Sequence, residues 1–505
     1  MTAAARAVID LDVTGHTINR HVYGHFAEHL GRCIYDGFWV DEDSPIPNER
    51  GIRLDIVDAL RNLDIPNLRW PGGCFADTYH WRDGVGPRDS RPKIANTNWG
   101  DVVESNHFGT HEFMDLCEML GADAYVNGNI GSGTVQEMAD WVEYLTRDDD
   151  SPMARLRREH GRDEPWKVPF WGLGNEAWGC GGNMSAEHYA EEARRYATFC
   201  RDHGGNRLTR IAAGANEDDL DWTRVLMKSL TECLGCRLYG TPVYQAVSFH
   251  YYTHSGSGIN TEAATEFTAR QFYETMAYAA DIDRVIRGHV AVMDSYDPAG
   301  RIGLVCDEWG TWWNVEEGTN PGFLFQQNTV RDALVAGLHF DTFHRHARRL
   351  TMANIAQTVN VLQAMVLTDG DRLVLTPTYH VFEMNKGHQD ASLLNTHVID
   401  VPLLDVNGQD LPLLSMSAST KGGDALLSLT HLSVDEHLEV TVDLRGRGSR
   451  VRRARVLSGD ATSAFNEPDA PSRVAPLPLE TELTDGILTV RMPPHSFATV
   501  ELELI

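Results

Sequence analysis

The chain has 505 residues, of which 42% are hydrophobic and 23% are charged, fractions typical of a folded soluble protein. There are 44 lysine and arginine residues against 72 aspartate and glutamate residues, which gives a net charge of −28. This acidic balance excludes nucleic acids and anionic membranes as expected partners, because both require a basic surface. No apolar stretch reaches the ~18 residues of a membrane span, and the N-terminus carries no recognisable secretory signal, so we expect a cytoplasmic protein.

The cysteine and histidine spacings give no clear metal site. Eight cysteines are too few for a disulfide scaffold in a chain of this length, and we expect reduced thiols. Cys233 and Cys236 form a CxxC pair without a second ligand pair at zinc-site spacing, which favours two incidental thiols at a helix end. His21, His25 and His29 repeat every four residues, but on a strand they would not form one compact cluster. We therefore expect no metal and no cofactor.

Eight short apolar runs alternate with helical patterns over the first two-thirds of the chain. The runs are residues 21–26, 66–70, 124–129, 168–174, 210–215, 246–251, 303–306 and 352–356. Between them apolar residues recur at helical spacing, as at Ile56, Leu60 and Leu63. This alternation predicts an α/β fold of the (β/α)8 (TIM) barrel type. A doubly wound open sheet is the alternative, which is disfavoured because no glycine-rich phosphate loop follows the first strand.

Beyond about residue 380 the pattern changes to short strands separated by turn residues. The strands are expected at residues 411–418, 425–432, 438–444, 450–457, 487–492 and 498–504. They predict a C-terminal antiparallel β-sandwich of jelly-roll type, completed by an N-terminal strand at residues 6–13. The expected domains are residues 1–18 for that strand, residues 19–380 for the catalytic barrel and residues 381–505 for the sandwich.

Polar and aromatic residues follow the predicted barrel strands, where barrel enzymes carry their chemistry. The tryptophans at these ends are Trp70, Trp99, Trp178, Trp309, Trp312 and Trp313. Carboxylates, amides and indoles together indicate a sugar site, because hydroxyl groups need polar partners and the C–H faces of a sugar pack on aromatic rings. Glu176 and Glu308 follow the fourth and seventh predicted strands and are the best catalytic pair. Glu28 either binds substrate or forms a structural ion pair with Arg69.

Two carboxylates on different strands can cleave a glycosidic bond in either of two ways. A separation of about 5–5.5 Å predicts retention of the anomeric configuration, and one of about 6.5–9.5 Å predicts inversion. Burial against an indole can raise the pKa of one carboxyl, so that it stays a proton donor near neutral pH.

Six segments resemble the α-L-arabinofuranosidases of glycoside hydrolase family 51. They are residues 23–32 (YGHFAEHLGR), 69–75 (RWPGGCF), 171–176 (WGLGNE), 248–252 (SFHYY), 307–309 (DEW) and 354–357 (NIAQ). The resemblance covers essentially the whole chain, with the segments in the same order. It implies a retaining enzyme in which Glu176 is the general acid/base and Glu308 is the nucleophile.

The resemblance also implies a set of sugar-binding residues, a substrate and an assembly. The residues that match the family's sugar-binding positions are Glu28, Arg69, Cys74, Trp99, Asn175, His250, Tyr252, Trp312 and Gln357. Cys74 stands where some members have asparagine, and a thiol is a weak hydrogen-bond donor. The implied activity is release of terminal non-reducing α-L-arabinofuranosyl residues from arabinan or arabinoxylan oligosaccharides, by a cytoplasmic homohexamer.

Three other functions remain open at this point. Another retaining glycosidase, such as a β-xylosidase or an endoglucanase, could use the same barrel. A metal-dependent sugar isomerase would need histidine and carboxylate ligands that converge on a divalent ion. A non-catalytic sugar-binding module would need no nucleophile at all.

Overall fold

Eight parallel strands close into a barrel in the computed structural model, which describes residues 3–505. Barrel strands one to eight are, in chain order, Gly24–Phe26, Asn67–Trp70, Asp123–Gly128, Phe170–Leu173, Thr209–Asn216, Ala246–Thr253, Gly303–Thr311 and Leu350–Ile355. Strand eight pairs in parallel with strand one and closes the barrel. The strands are short and mostly buried, because helices cover the outside and side chains fill the inside. The predicted (β/α)8 barrel is confirmed.

Helices connect these strands and cover the barrel. They are Leu54–Asn62, Thr110–Leu120, Val135–Thr146, Pro152–Glu159, Ala186–Phe199, Leu220–Glu232, Leu234–Tyr239, Ala269–Tyr296, Val330–Arg345 and Pro377–Asn385. The 3-10 turns are Arg20–Tyr23, Cys74–Thr78, Trp81–Gly84, Arg88–Ser90, Pro321–Phe323 and Lys386–His388. Within residues 3–505, no helix combines the length and the apolar character needed to cross a membrane.

A ten-stranded sheet forms most of the C-terminal part. In spatial order its strands are Leu477–Pro478, Ser449–Leu457, Ser496–Leu504, Asp424–His431, Leu414–Lys421, Ser392–Asp400, Ala3–Thr17, Leu438–Arg445, Ile487–Met492 and Thr481–Thr484. Four hairpins stand apart from both sheets: Asn48–Glu49 with Ile52–Arg53, Ile94–Asn96 with Val102–Glu104, Val366–Asp369 with Arg372–Leu375, and Leu403–Val406 with Gln409–Pro412. The ten strands enclose an apolar core of their own. The expected domain boundaries at residues 18 and 380 stay a prediction.

The N-terminal strand lies inside this C-terminal sheet, as the sequence predicted. Ala3–Thr17 pairs antiparallel with Ser392–Asp400 on one side. On the other side it pairs parallel with Leu438–Arg445, whereas the other neighbouring strands of this sheet pair antiparallel. Parallel pairing is available here because some 420 residues of chain separate the two strands, which is ample length for a crossover.

The barrel and the C-terminal sheet meet through buried polar groups as well as apolar ones. Asp341 lies on the helix Val330–Arg345, which is buried along nearly its whole length. Its carboxylate accepts hydrogen bonds from the Ser428 hydroxyl at 2.9 Å and the Thr430 hydroxyl at 3.3 Å. Burial raises the pKa of Asp341 to about 6. Buried polar groups need such partners, so these bonds align the helix with the sheet.

Two disulfides contradict the expectation that all the cysteines are reduced thiols. Cys74 is bonded to Cys180, and Cys233 is bonded to Cys236. The first pair is 106 residues apart in sequence, and only the closure of the barrel brings its two loops together. Cys33, Cys117, Cys200 and Cys306 are free and buried.

The N-terminal strand provides a test of how much the C-terminal core depends on it. Ile9 is fully buried in that core, whereas Val13 on the same strand is 50% exposed. We expect Ile9→Ala to lower the free energy of unfolding by about 2–5 kcal/mol, because it removes buried apolar atoms and leaves a cavity. The matched variant Val13→Ala should stay within about 0.5 kcal/mol of the wild type. Equal losses for both variants in urea denaturation would contradict this assignment.

Candidate active site

Two carboxylates meet at the C-terminal face of the barrel. Glu308 lies in strand seven, and Glu176 lies in the turn after strand four. His250, from strand six, lies between them, with its Nδ1 2.8 Å from Oε1 of Glu176 and 3.5 Å from Oε2 of Glu308. One oxygen of each carboxylate lies within 4.8 Å of the other. The structure therefore brings together the two residues that the sequence proposed as the catalytic pair.

Glu308 is held by two donors, one on each carboxylate oxygen. Arg69 donates from Nη1 to Oε1 at 2.8 Å, and the Tyr252 hydroxyl donates to Oε2 at 2.8 Å. Burial raises the pKa of Glu308, and the charge of Glu176 acts in the same direction, whereas the cations His250 and Arg69 oppose the rise. With both oxygens bonded, the carboxylate has a fixed orientation.

Asp307, next to Glu308, stabilises the positive charge of the histidine. Its Oδ1 lies 3.2 Å from Nε2 of His250, and its Oδ2 accepts the Tyr125 hydroxyl at 2.7 Å. Burial favours the neutral acid, but the cations Arg69 and His250 lower the pKa of Asp307 to about 2. Burial likewise opposes the charge on His250, yet the surrounding carboxylates Glu308, Asp307 and Glu176 raise its pKa to about 10. The raised pKa favours the protonated form of the histidine, which contacts all three acids.

Glu28 is a fourth acid at this end of the barrel, and it has no arginine partner. Its Oε1 accepts the Trp99 indole N–H at 2.9 Å and the Phe75 backbone N–H at 3.0 Å, and its Oε2 accepts Nε2 of Gln357 at 2.8 Å. Burial, with the charge of Glu308, raises the pKa of Glu28 to about 7. Since Arg69 bonds Glu308 instead, the proposed structural ion pair between Glu28 and Arg69 is wrong.

Two glycines allow the backbone to approach these acids. A Cβ atom on Gly72 would lie 2.8 Å from Cγ of Glu28, and one on Gly73 would lie 2.8 Å from Oε1 of Glu308. Asn175 completes this side of the site, because Arg69 donates from Nη2 to its Oδ1 at 2.6 Å. The glycines are needed because any side chain would displace a carboxylate.

The tryptophans divide into two groups, which the sequence did not distinguish. Trp70, Trp309 and Trp313 are buried in the core, so the expectation that they border the site is wrong. Their rings pack on other aromatic rings or cations, as Trp70 does on Phe113 at 4.9 Å. The half-buried tryptophans are Trp99, Trp178 and Trp312. Trp312 packs edge-on against Tyr252 at 4.9 Å.

Cys74 lies beside Glu176, but as half of a disulfide. Its Sγ is 3.8 Å and that of Cys180 is 3.5 Å from Oε2 of Glu176. A disulfide sulfur carries no hydrogen, so these are van der Waals contacts and Cys74 donates no hydrogen bond. The disulfide forms one wall beside the carboxylate.

Comparisons with known proteins identify the family of this chain. The α-L-arabinofuranosidase 1 domain matches residues 59–257, and the α-L-arabinofuranosidase C-terminal domain matches residues 307–496. An intracellular exo-α-L-arabinofuranosidase of Bacteroides ovatus is 47% identical over 99% of this chain and 96% of its own length. The chain belongs to the glycoside hydrolase family 51 α-L-arabinofuranosidases.

Among solved structures, the family 51 arabinofuranosidase of Xanthomonas axonopodis pv. citri superposes with a TM-score of 0.95 at 44% identity, covering 100% of both chains. The α-L-arabinofuranosidase of Thermotoga maritima, solved with arabinose, has a TM-score of 0.86 at 30% identity over 99% of this chain and 100% of its own.

The sequence assigned no role to several residues of this family 51 site. Asp307 lies in the segment 307–309 that resembles the family, and its place next to Glu308 was the signal that could have given it a role. Tyr125 and Cys180 had no such signal, because a long stretch of chain separates each from its partner in the site.

The three histidines with regular spacing lie apart in the fold. His21 contacts Asn67, His25 packs against Phe382, and His29 bonds Glu104 at 2.9 Å. Each histidine thus has a different structural environment.

The pairing of Arg69 with Glu308 predicts a change in the pH profile. Arg69→Met removes a cation that lowers the pKa of Glu308, so the carboxylate becomes protonated at a higher pH. We expect kcat/KM to fall by roughly 100-fold and its acidic limb to move to higher pH. The control is Arg53→Met, which removes another buried arginine, one that bonds Asp55. An acidic limb unchanged in Arg69→Met would contradict the pairing.

Proposed function

We propose that this protein is a retaining exo-α-L-arabinofuranosidase that releases terminal non-reducing α-L-arabinofuranosyl residues from arabinan or arabinoxylan oligosaccharides. The observation that carries the proposal is the meeting of Glu176 and Glu308 around His250 at the C-terminal face of the barrel. Two findings support this choice of substrate: the family to which the chain belongs, and the exo activity in the name of the Bacteroides ovatus relative.

In the proposed first step, Glu308 acts as the nucleophile. One of its oxygens attacks C1 of the arabinofuranosyl residue while the bond from C1 to the leaving oxygen breaks, and Glu176 gives that oxygen its proton. Arg69 and Tyr252 orient the attacking carboxylate through their hydrogen bonds. The product is a covalent ester between the sugar and Glu308, together with the free leaving group.

In the second step, Glu176 acts as a base. It takes a proton from water, the water oxygen attacks C1, and the bond from C1 to Glu308 breaks, which restores the free carboxylate. Two inversions at C1 retain its configuration. The contact of His250 with both carboxylates couples their charges as the proton moves.

The spacing of the carboxylates favours retention over inversion. An oxygen of Glu176 lies within 4.8 Å of an oxygen of Glu308, a closer approach than the about 6.5–9.5 Å between the carboxyl groups of inverting enzymes suggests. An inverting enzyme needs the larger gap for its water molecule.

We propose that the remaining residues form the pocket for one terminal sugar. Glu28, Asn175 and Gln357 offer carboxylate and amide groups to hydroxyls, while Trp99 and Trp312 offer aromatic faces. The Cys74–Cys180 disulfide is the wall next to the acid/base.

A metal-dependent isomerase is disfavoured by the charges at the site. Glu176, His250 and Glu308 do place possible ligand atoms within 4.8 Å of one another. However, Arg69 already donates a hydrogen bond to Oε1 of Glu308 at 2.8 Å. The raised pKa of His250 favours its protonated form, whose ring nitrogens have no free lone pair to bind a metal. Loss of activity in EDTA would reverse this assessment.

We also propose a cytoplasmic homohexamer. The location rests on the word "intracellular" in the name of the Bacteroides ovatus relative, and the assembly rests on the family resemblance. Light scattering during size-exclusion chromatography measures the assembly directly.

Alanine variants test the two carboxylates on a panel of aryl glycosides. Glu308→Ala should lose nearly all activity, because no covalent intermediate can form. Glu176→Ala should retain more activity on aryl arabinofuranosides with good leaving groups, which need little protonation. Full turnover by Glu308→Ala without an added nucleophile would refute the assignment.

The wild-type enzyme on the same panel separates the alternative functions. Preference for xylosides would favour the β-xylosidase alternative, and no turnover on any substrate would favour a binding module.

The stereochemistry of the first product tests the mechanism separately. A retaining enzyme should release arabinofuranose first as the α-anomer, which NMR can observe before mutarotation in water. An initial β-anomer would contradict the role of Glu308 as the nucleophile, even with the substrate correctly assigned.

A further inference from the structure

Asp77 is a buried acid next to the turn that carries Glu176. It belongs to the 3-10 helix Cys74–Thr78, in the loop after barrel strand two, and is 3% exposed. Burial raises the pKa of its carboxyl to about 6, although hydrogen bonds from the backbone oppose the rise. Burying a carboxyl costs free energy unless hydrogen bonds compensate for the lost water, so the donors that bond Asp77 indicate why it is placed there.

The partners of Asp77 belong to two other barrel loops. Its Oδ1 accepts the backbone N–H groups of Ile130 at 2.7 Å and Gly131 at 2.8 Å, in the loop after strand three. Its Oδ2 accepts the backbone N–H of Asn175 at 2.8 Å, in the turn after strand four. One carboxylate thus joins the loops that follow strands two, three and four.

The turn after strand four has an unusual backbone that depends on such contacts. Gly174 has φ of 78° and Glu176 has φ of 40°, so a residue on each side of Asn175 lies in the left-handed region. A non-glycine residue keeps that conformation only where its surroundings impose it. Asn175 is held by two hydrogen bonds: its side-chain Oδ1 accepts one from Arg69, and its backbone N–H donates one to Asp77.

The packing around this turn leaves little room for it to shift. A Cβ atom on Gly181 would lie 2.8 Å from Oδ2 of Asp77 and less than 2 Å from the carbonyl oxygen of Asn175. Displacing the Asp77 carboxylate would therefore move the Asn175 peptide, and with it the adjacent Glu176.

We propose that Asp77 is a positioning residue for the reaction, which places the Glu176 carboxyl through the Asn175 peptide. It does so without touching the substrate. This inference rests on the proposed role of Glu176 as the acid/base. A shift of about 1 Å in a catalytic group can cost roughly 100-fold in rate, so the single N–H bond to Asn175 has a kinetic consequence.

A purely structural role for Asp77 predicts a different pattern of activity. If the carboxylate only stabilised the three loops, its loss would lower activity on all substrates by a similar factor. If it positions the acid, the loss should depend on how much proton donation the leaving group needs.

Asp77→Asn tests the inference on two substrates that differ in leaving group. The amide keeps the shape but cannot accept N–H bonds with both of its polar atoms. We expect kcat/KM on α-1,5-linked arabinobiose to fall by about 100-fold, as for a displaced acid. On 2,4-dinitrophenyl α-L-arabinofuranoside, whose leaving group needs no proton, we expect the loss in the bond-breaking step to stay below about 5-fold. Pre-steady-state release of dinitrophenol isolates that step.

Asp341→Asn is the matched control for neutralising a buried carboxyl. Asp341 is also buried with a pKa raised to about 6, but its partners are the Ser428 and Thr430 hydroxyls at the contact between the barrel and the C-terminal sheet. We expect this variant to lose thermal stability and to keep the wild-type ratio of activities on the two substrates. Asp77→Glu, which keeps the charge but displaces it, should shift the ratio as Asp77→Asn does and replaces that variant if it does not fold.

The outcomes separate this inference from the proposed function. Equal losses on both substrates for Asp77→Asn, or a shifted ratio in Asp341→Asn, would overturn the positioning role. Glu176→Ala is measured in parallel, and azide should accelerate its turnover by attacking the sugar in place of the base-activated water. If Glu176→Ala shows neither the leaving-group dependence nor the azide effect, the role of Glu176 is wrong. If it shows both and Asp77→Asn does not shift the ratio, only the role of Asp77 is wrong.

Discussion

The site depends on one buried cation, the guanidinium of Arg69. It is 1% exposed, and it bonds Glu308 and Asn175 through different nitrogens while its plane lies over the Phe26 ring at 4.6 Å. A planar group with several donors can join the turn after strand four to strand seven across the barrel, which the point charge of a lysine could not do in the same way. Without it, two adjacent acids of strand seven would be buried with only His250 to balance them.

Burying several charged groups inside the barrel costs desolvation free energy, but it also holds the groups in fixed positions. Desolvation favours the neutral form of each acid, and the raised pKa values of Glu28 and Glu308 are its direct result. The same low dielectric strengthens the attraction between the acids and the two cations, so the groups are held in fixed positions before substrate arrives. The disulfide beside Glu176 and the carboxylate of Asp77 extend this rigidity to the turn that carries the proposed proton donor.

Much of the architecture was predictable because its signals are local. Each buried parallel strand is a short apolar run, and all eight runs correspond to barrel strands. Glu176 and Glu308 could be proposed as a pair because the ends of parallel strands converge, whatever the loops do. The N-terminal strand was recognisable from alternating residues such as Ala7 and Ile9, but its parallel pairing with Leu438–Arg445 was not, since alternation specifies a buried face and not a direction.

The sequence by itself determined the barrel, the attached sheet and the residue types gathered at the strand ends, because these follow from periodicity and strand order. Only the tertiary structure decided which partner each group has. It paired Arg69 with Glu308 and not with Glu28, joined Cys74 to Cys180, and placed Trp70 in the core. It also brought Asp77 to the backbone of Asn175. These contacts join residues far apart in the chain, and their geometry depends on how the loops pack after the barrel has closed, which no local pattern encodes.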